Sequence, residues 1–320
     1  MNRVPNPPKA PIASISQTRG GLPAKVRGGV ATAVALTLGF LDVTTAQAAE
    51  DGVAVLSAAT APTTAGAARQ ASSPEQPSIV VLGAAPARSL AIREHAEAMR
   101  REAFAKLLGM STPPAWSVCC EIHVHATADA FADAVGGPPV DARGATSLEF
   151  AGERVVFRRI DVMGDGPGEI PDALDHELVH VVLADHFVHA PPPRWADEGL
   201  ALLFDDPAKQ RKHAADLQAA ARRGLAWSAA DLVALEEYPA DGGRQRVFYG
   251  QSAAVVRWLV ARRDASTFIR FLDDADAFGI EAALRRHYDL DSLDSLSIAW
   301  KEVAPINSLG RAELRRGLLP

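Results

Sequence analysis

Cysteine is nearly missing from this 320-residue chain: two occur, Cys119 and Cys120, and they are neighbours. A disulfide between adjacent residues is geometrically awkward, so the fold is not a disulfide scaffold. Aromatic residues are scarce at 6%, and there is no basic excess, the formal net charge being -6 and the sequence pI about 5.9. Without a positive field there is nothing to draw a phosphate backbone, and nucleic acid is not an expected partner. Long hydrophobic runs are lacking too. The apolar run from Gly28 to Leu41 has 14 residues, short of the roughly 18 to 20 that a membrane-spanning helix needs, and no second stretch approaches that length.

That short run has telling flanks. Arg3, Lys9, Arg19, Lys25 and Arg27 precede it with no acid among them, and Ala46-Gln47-Ala48 follows as a small-x-small cleavage pattern. A basic segment, a short apolar core and such a site together read as a secretory leader over residues 1–48. The expected location is therefore secreted, periplasmic or cell-envelope, with no membrane contact after cleavage and an N-terminal anchor if the leader is retained. Residues 49–77 are Ala, Thr, Ser, Pro and Gly with almost no large apolar side chain, too little burial to offset ordering entropy. They read as a linker.

Beyond it the patterning becomes that of a folded domain. Ser78 to Gly83 reads as a strand, and Ala87 to Leu108 as an amphipathic helix ended by Gly109. Cys120, Ile122 and Val124 alternate with Glu121, His123 and His125, the period of a half-buried strand. Thr127 suits the N-cap of a short helix. Thr146–Phe150 and Arg154–Ile160 can pair around Ala151-Gly152-Glu153. A helix opens at Pro171-Asp172 and runs to Val188 before Pro191-Pro192-Pro193 stops it, a second covers Arg194 to Phe204, and helical patterns continue to Val303. The expected class is α+β: a small mixed sheet with the motif helix over residues 78–206, an all-helical part over 207–305, and a tail at 306–320.

The motif is His176-Glu177-Leu178-Val179-His180. Residues four apart sit one above the other on a helix face, so two imidazoles there can share one tetrahedral zinc. Glu177 lies about 100° around the helix from His176, where its carboxylate can act on an attacking water without filling a ligand position. The plain alternative is a helix with two exposed histidines. Downstream, Pro193-Arg194-Trp195-Ala196-Asp197-Glu198-Gly199-Leu200-Ala201 puts a carboxylate on a new helix just after the triple proline. Two antiparallel helices on a short loop can return Glu198 to the imidazoles, and two His with one Glu leave a fourth position open.

HELVH followed by the Glu of WADEGLA resembles the gluzincin superfamily of zinc peptidases, and in particular bacterial peptidase MA-like proteins. The likeness extends to Arg159-Ile160-Asp161 and to Phe248-Tyr249-Gly250-Gln251-Ser252. It implies a zincin-like fold, one Zn2+ per chain on His176, His180 and Glu198, Glu177 as general base, Tyr249 as candidate stabiliser of the oxyanion, and a peptide or protein substrate. Tyr249 is expected at the start of a helix, where its phenol can donate into the cleft or merely pack. No Gly-x-Met-Glu-Asn segment precedes the motif, which favours an endopeptidase over an aminopeptidase, and the 146–160 hairpin offers an edge to which an extended substrate could add.

Several other readings stand beside this one. His186 keeps the spacing of a third ligand in the extended motif, but Leu183 replaces its glycine and no methionine follows Met163. His186 or His189 as a fourth ligand would mark a purely structural site. A catalytically silent binding or cell-envelope domain could retain the metal. His123 with His125, and the acids Asp273, Asp274 and Asp276, read as solvated faces. Leu202 occupies the position where gluzincins often carry an acid that orients a ligand histidine, leaving Asp197, Asp175 or Asp205 as substitutes.

Overall fold

Alternation in the sequence becomes alternation in burial. In a computed structural model describing residues 32–36, 77–136, 142–166 and 168–303, the strand Cys120–His125 buries Cys120, Ile122 and Val124 and leaves Glu121, His123 and His125 partly open. The sheet contains β1 (Thr32–Leu36), β2 (Ile79–Leu82), β3 (Cys120–His125), β4 (Gly144–Phe150) and β5 (Val155–Met163), in the order β1-β4-β5-β3-β2. Strands β2, β3 and β5 run parallel, while β4 is antiparallel to both β5 and β1. The helix α1 (Pro86–Leu108) connects β2 to β3, and Gly109 ends it in the left-handed conformation that glycine adopts without cost. Thr127 caps α2 (Ala128–Val135) by accepting from the Ala130 amide.

Leader, linker and tail fall outside the described residues except for Thr32–Leu36 and Pro77. Thr32–Leu36, within the apolar run, is the strand β1, paired in register from Thr32↔Phe150 to Leu36↔Thr146. No helix among the described residues is long and apolar enough to cross a membrane.

The motif helix α3 (Leu174–His186) starts later and ends earlier than expected, because Pro171 to Ala173 form a turn before it and Phe187 leaves the helical conformation. Its apolar stripe, Leu174, Leu178 and Val181, is buried as expected, but so is every residue from His176 to Ala184. The sheet and α1 cover one side and α4 (Arg194–Ala201) another. Both ends of α3 are pinned. Near the start, Asp175 lies 2.6 Å from His95 Nε2 on α1. At the other end, Asp185 accepts from the Trp116 indole and the Arg158 guanidinium, and the guanidinium groups of Arg100 and Arg158 lie 4.0 and 4.9 Å from the Trp116 ring centre.

The rest is helical: α5 (Pro207–Arg222), α6 (Ala229–Val233), α7 (Gly242–Arg262), α8 (Ala265–Phe278), α9 (Ile280–Tyr288) and α10 (Leu293–Val303). This mixture of a small sheet with many helices agrees with an α+β class. A single buried cluster runs from Ile79 in the sheet to Trp300 in α10. Two motif glycines explain how the helices close on the sheet-bearing part. A Cβ on Gly199 would lie 2.3 Å from Val256 Cγ2 and 2.8 Å from the Ser252 carbonyl, so α4 and α7 touch backbone to side chain. A Cβ on Gly250 would lie 2.6 Å from the His213 carbonyl on α5. The glycines of WADEGLA and FYGQS are thus packing positions.

Candidate metal centre

Helix α3 ends against the proline-rich turn, and α4 begins at Arg194, returning alongside α3. His176, His180 and Glu198 meet there. One donor atom from each lies within 4.8 Å of the others, and among the described residues this is the one group able to hold a metal ion. None of the three is a surface residue: His176 is 5% exposed, His180 4% and Glu198 1%. A helix with two exposed histidines is therefore not what the sequence folds into.

The separation of two of the donors suits a shared metal ion. His176 Nε2 and Glu198 Oε2 stand 3.3 Å apart, close to the separation of two donors about 2.0 to 2.1 Å from a tetrahedral centre. They lack hydrogen-bond alignment, and both atoms are buried without a partner. Buried polar atoms are rarely left so. A cation between them would satisfy both.

The far side of each imidazole faces a carboxylate. His180 Nδ1 is 3.0 Å from Asp197 Oδ1, and His176 Nδ1 is 3.5 Å from Asp205 Oδ1. Carboxylates so placed can orient a ligand imidazole and leave its Nε2 for a metal, although neither Nδ1 is aligned for a hydrogen bond. Of the three substitute acids, Asp197 and Asp205 stand beside these rings, and Asp175 is engaged by His95. Asp205 is itself held by Lys209 Nζ at 3.0 Å.

These carboxylates dominate the electrostatics. Burial disfavours the charged His176 ring, yet Asp205 and Glu198 outweigh it and raise the pKa to about 10. For His180, burial is likewise outweighed by Asp197 and Glu198, and the pKa rises to about 9. Burial works to raise the Glu198 carboxyl, but the two histidines and Tyr238 pull it below the ordinary range.

Glu177 is 1% exposed. Thr146 of β4 donates to its Oε2 at 2.7 Å, and Oε1 is buried without a partner. Burial raises its pKa against the lowering pull of His176, His180 and Thr146. A carboxylate made more basic, with one oxygen unengaged, is suited to accept a proton. Comparison with protein-family models, curated proteins and solved structures gives no match. The chemistry of the site stands on its own atoms.

Tyr249 differs from its expected setting. It lies two turns inside α7, whose cap is Asp241, and its ring packs 5.6 Å from Phe248, 6.1 Å from His213 and 6.3 Å from Tyr238. Burial, followed by the charges of Glu198 and Glu177, pushes its pKa well above the ordinary value. The rival ligand His186 is exposed and sits 2.9 Å from Asp273 of α8. Asp273 and Asp276 are exposed, as the solvated reading expects, while the half-buried Asp274 contacts His287 and Arg286. His123 and His125 are partnered by Glu121 and Asp161 at 2.9 and 2.6 Å.

Three contributors were invisible in the sequence reading. Tyr238, between α6 and α7, donates to Glu198 Oε1 at 2.5 Å. Thr146 holds Glu177. Gly144 makes room for that carboxylate, since a Cβ there would lie 2.6 Å from Glu177 Oε1 and 2.8 Å from Ala173 Cβ. One faint signal existed: of only three tyrosines in the chain, two surround this site.

Proposed function

We propose that the chain is a zinc-dependent peptidase of the zincin kind, acting outside the cytoplasm on peptide or protein substrates. The observation that carries this is the convergence of His176, His180 and Glu198 around one point with the unengaged Oε1 of Glu177 in the same buried site. Bound there, zinc supplies Lewis acidity and makes a water acidic enough to lose its proton near neutral pH. Glu177 would accept a proton on Oε1 while Thr146 keeps Oε2 in place, and would return it to the leaving amine. Tyr249, kept protonated by its surroundings, donates to the oxyanion that develops on the carbonyl.

The hairpin edge bears on how a substrate enters. β4 is the strand that touches Glu177, and its outer edge is paired with β1 over Thr146–Phe150. Leader cleavage after Ala48 removes β1, and the bared edge can take an extended peptide as a new antiparallel strand. An endopeptidase suits this better than an enzyme that captures a free amino terminus.

A second reading has one observation in its favour. The three donors and Glu177 are 1 to 5% exposed, a burial that also suits a silent domain retaining metal. A structural fourth ligand has less support, since His186 is held by Asp273.

Cleavage of an unstructured protein by the chain beginning at Ala49 decides between the two. Activity should vanish with a chelator and return with about one equivalent of zinc; zinc uptake without cleavage would favour the silent domain. Gly144→Ala gives a finer test. Its Cβ displaces the Glu177 carboxylate, so kcat is expected to fall about 100-fold, as for a 1 Å misplacement, with zinc content unchanged. An unaltered kcat would remove Gly144 from the account.

A further inference from the structure

We infer that Tyr238 is a positioning residue for the metal ligand Glu198, held in place by Arg194 one helical turn from that ligand. The inference rests on reading His176, His180 and Glu198 as a metal site, and adds a specific part to it. Glu198 has two carboxylate oxygens. The Tyr238 phenol donates to Oε1 at 2.5 Å, and Oε2 is left buried without a partner, 3.3 Å from His176 Nε2. One oxygen is thereby occupied and the other reserved.

The phenol is not free to wander. Arg194 precedes Glu198 by four residues on α4, so both side chains lie on one helix face. The Arg194 guanidinium lies 4.6 Å from the centre of the Tyr238 ring and its Nε donates to the Glu236 carbonyl at 2.6 Å. Phe248 meets the ring edge-on at 5.8 Å, and Tyr249 flanks it at 6.3 Å. Side chains from α4 and α7 thus clamp a tyrosine that belongs to neither helix. A charge-assisted bond from a half-buried tyrosine to a carboxylate is among the stronger kinds, and its loss leaves Oε1 a buried acceptor with nothing to accept. The carboxylate can then rotate, and the three donors no longer converge.

Zinc affinity by chelator competition, measured on the full chain and on Tyr238→Phe, tests this. The phenyl ring retains every packing contact and removes one oxygen. Affinity should fall about 10- to 100-fold, as for loss of partners that orient a ligand, while the melting temperature of the metal-free protein changes little. The visible spectrum of the cobalt form should also shift, because the carboxylate changes its mode of contact. Unchanged affinity and spectrum would overturn the role assigned to Tyr238. So would a fall in affinity matched by a comparable loss of metal-free stability, which marks a structural tyrosine. If the unmutated chain takes up neither metal, the reading of the site itself fails, and Tyr238 is not the cause.

Discussion

Glu177→Gln is expected to reduce peptide cleavage by about 10²- to 10⁴-fold, the usual contribution of a positioned general base, with zinc content unchanged. Gln has nearly the shape of Glu, and Thr146 can still donate to its amide oxygen. What it lacks is the capacity to take a proton. The same change should leave the metal-free protein at least as stable at neutral pH. The folded-state pKa of Glu177 is raised, chiefly by burial, so its contribution to stability is full below the unfolded value of about 4.3 and is lost as pH rises through the folded value. A neutral amide avoids that loss. Steady-state kinetics with thermal melts at pH 7 check both halves, and a variant that cleaves at the native rate would take Glu177 out of the mechanism.

Glu198→Ala should weaken zinc binding by more than about 100-fold, beyond the upper end of what losing an orienting partner costs. It removes one of three donors and strands the Tyr238 hydroxyl. His186→Ala provides the contrast, with zinc affinity unchanged, because His186 is paired with Asp273. Competition with a chromophoric chelator measures both. An unchanged affinity in Glu198→Ala would leave the two histidines without their third ligand.

Much of this was readable before any coordinates, and the reason is locality. The period-two pattern of Cys120–His125, the cap at Thr127 and the four-residue step from His176 to His180 are properties of short segments, and the chain folds them as written. Glu198 was reachable because a proline-stopped helix followed by a new one leaves few geometries. The choice among Asp175, Asp197 and Asp205 was not local. It depends on α1 presenting His95 to Asp175, and no spacing within the motif conveys that.

The same limit hid Tyr238, Thr146 and Gly144. Tyr238 lies 40 residues from Glu198 and Thr146 31 residues from Glu177 in sequence, and each arrives on a separate element. The burial of His176 to Ala184 is hidden for a related reason: the histidine face of α3 looks polar in a helical pattern, but α4 lies against it. Tyr249, expected at a helix start, lies inside α7, where close packing of α7 on α5 gives the adjacent Gly250 its place.

Anomalous diffraction at the zinc edge, from crystals of the chain grown with zinc, tests the central claim most directly. The account expects a single strong peak bonded to His176 Nε2, His180 Nε2 and Glu198 Oε2, with a fourth position not filled by protein. A peak elsewhere, or one closed by a fourth protein ligand, would contradict it.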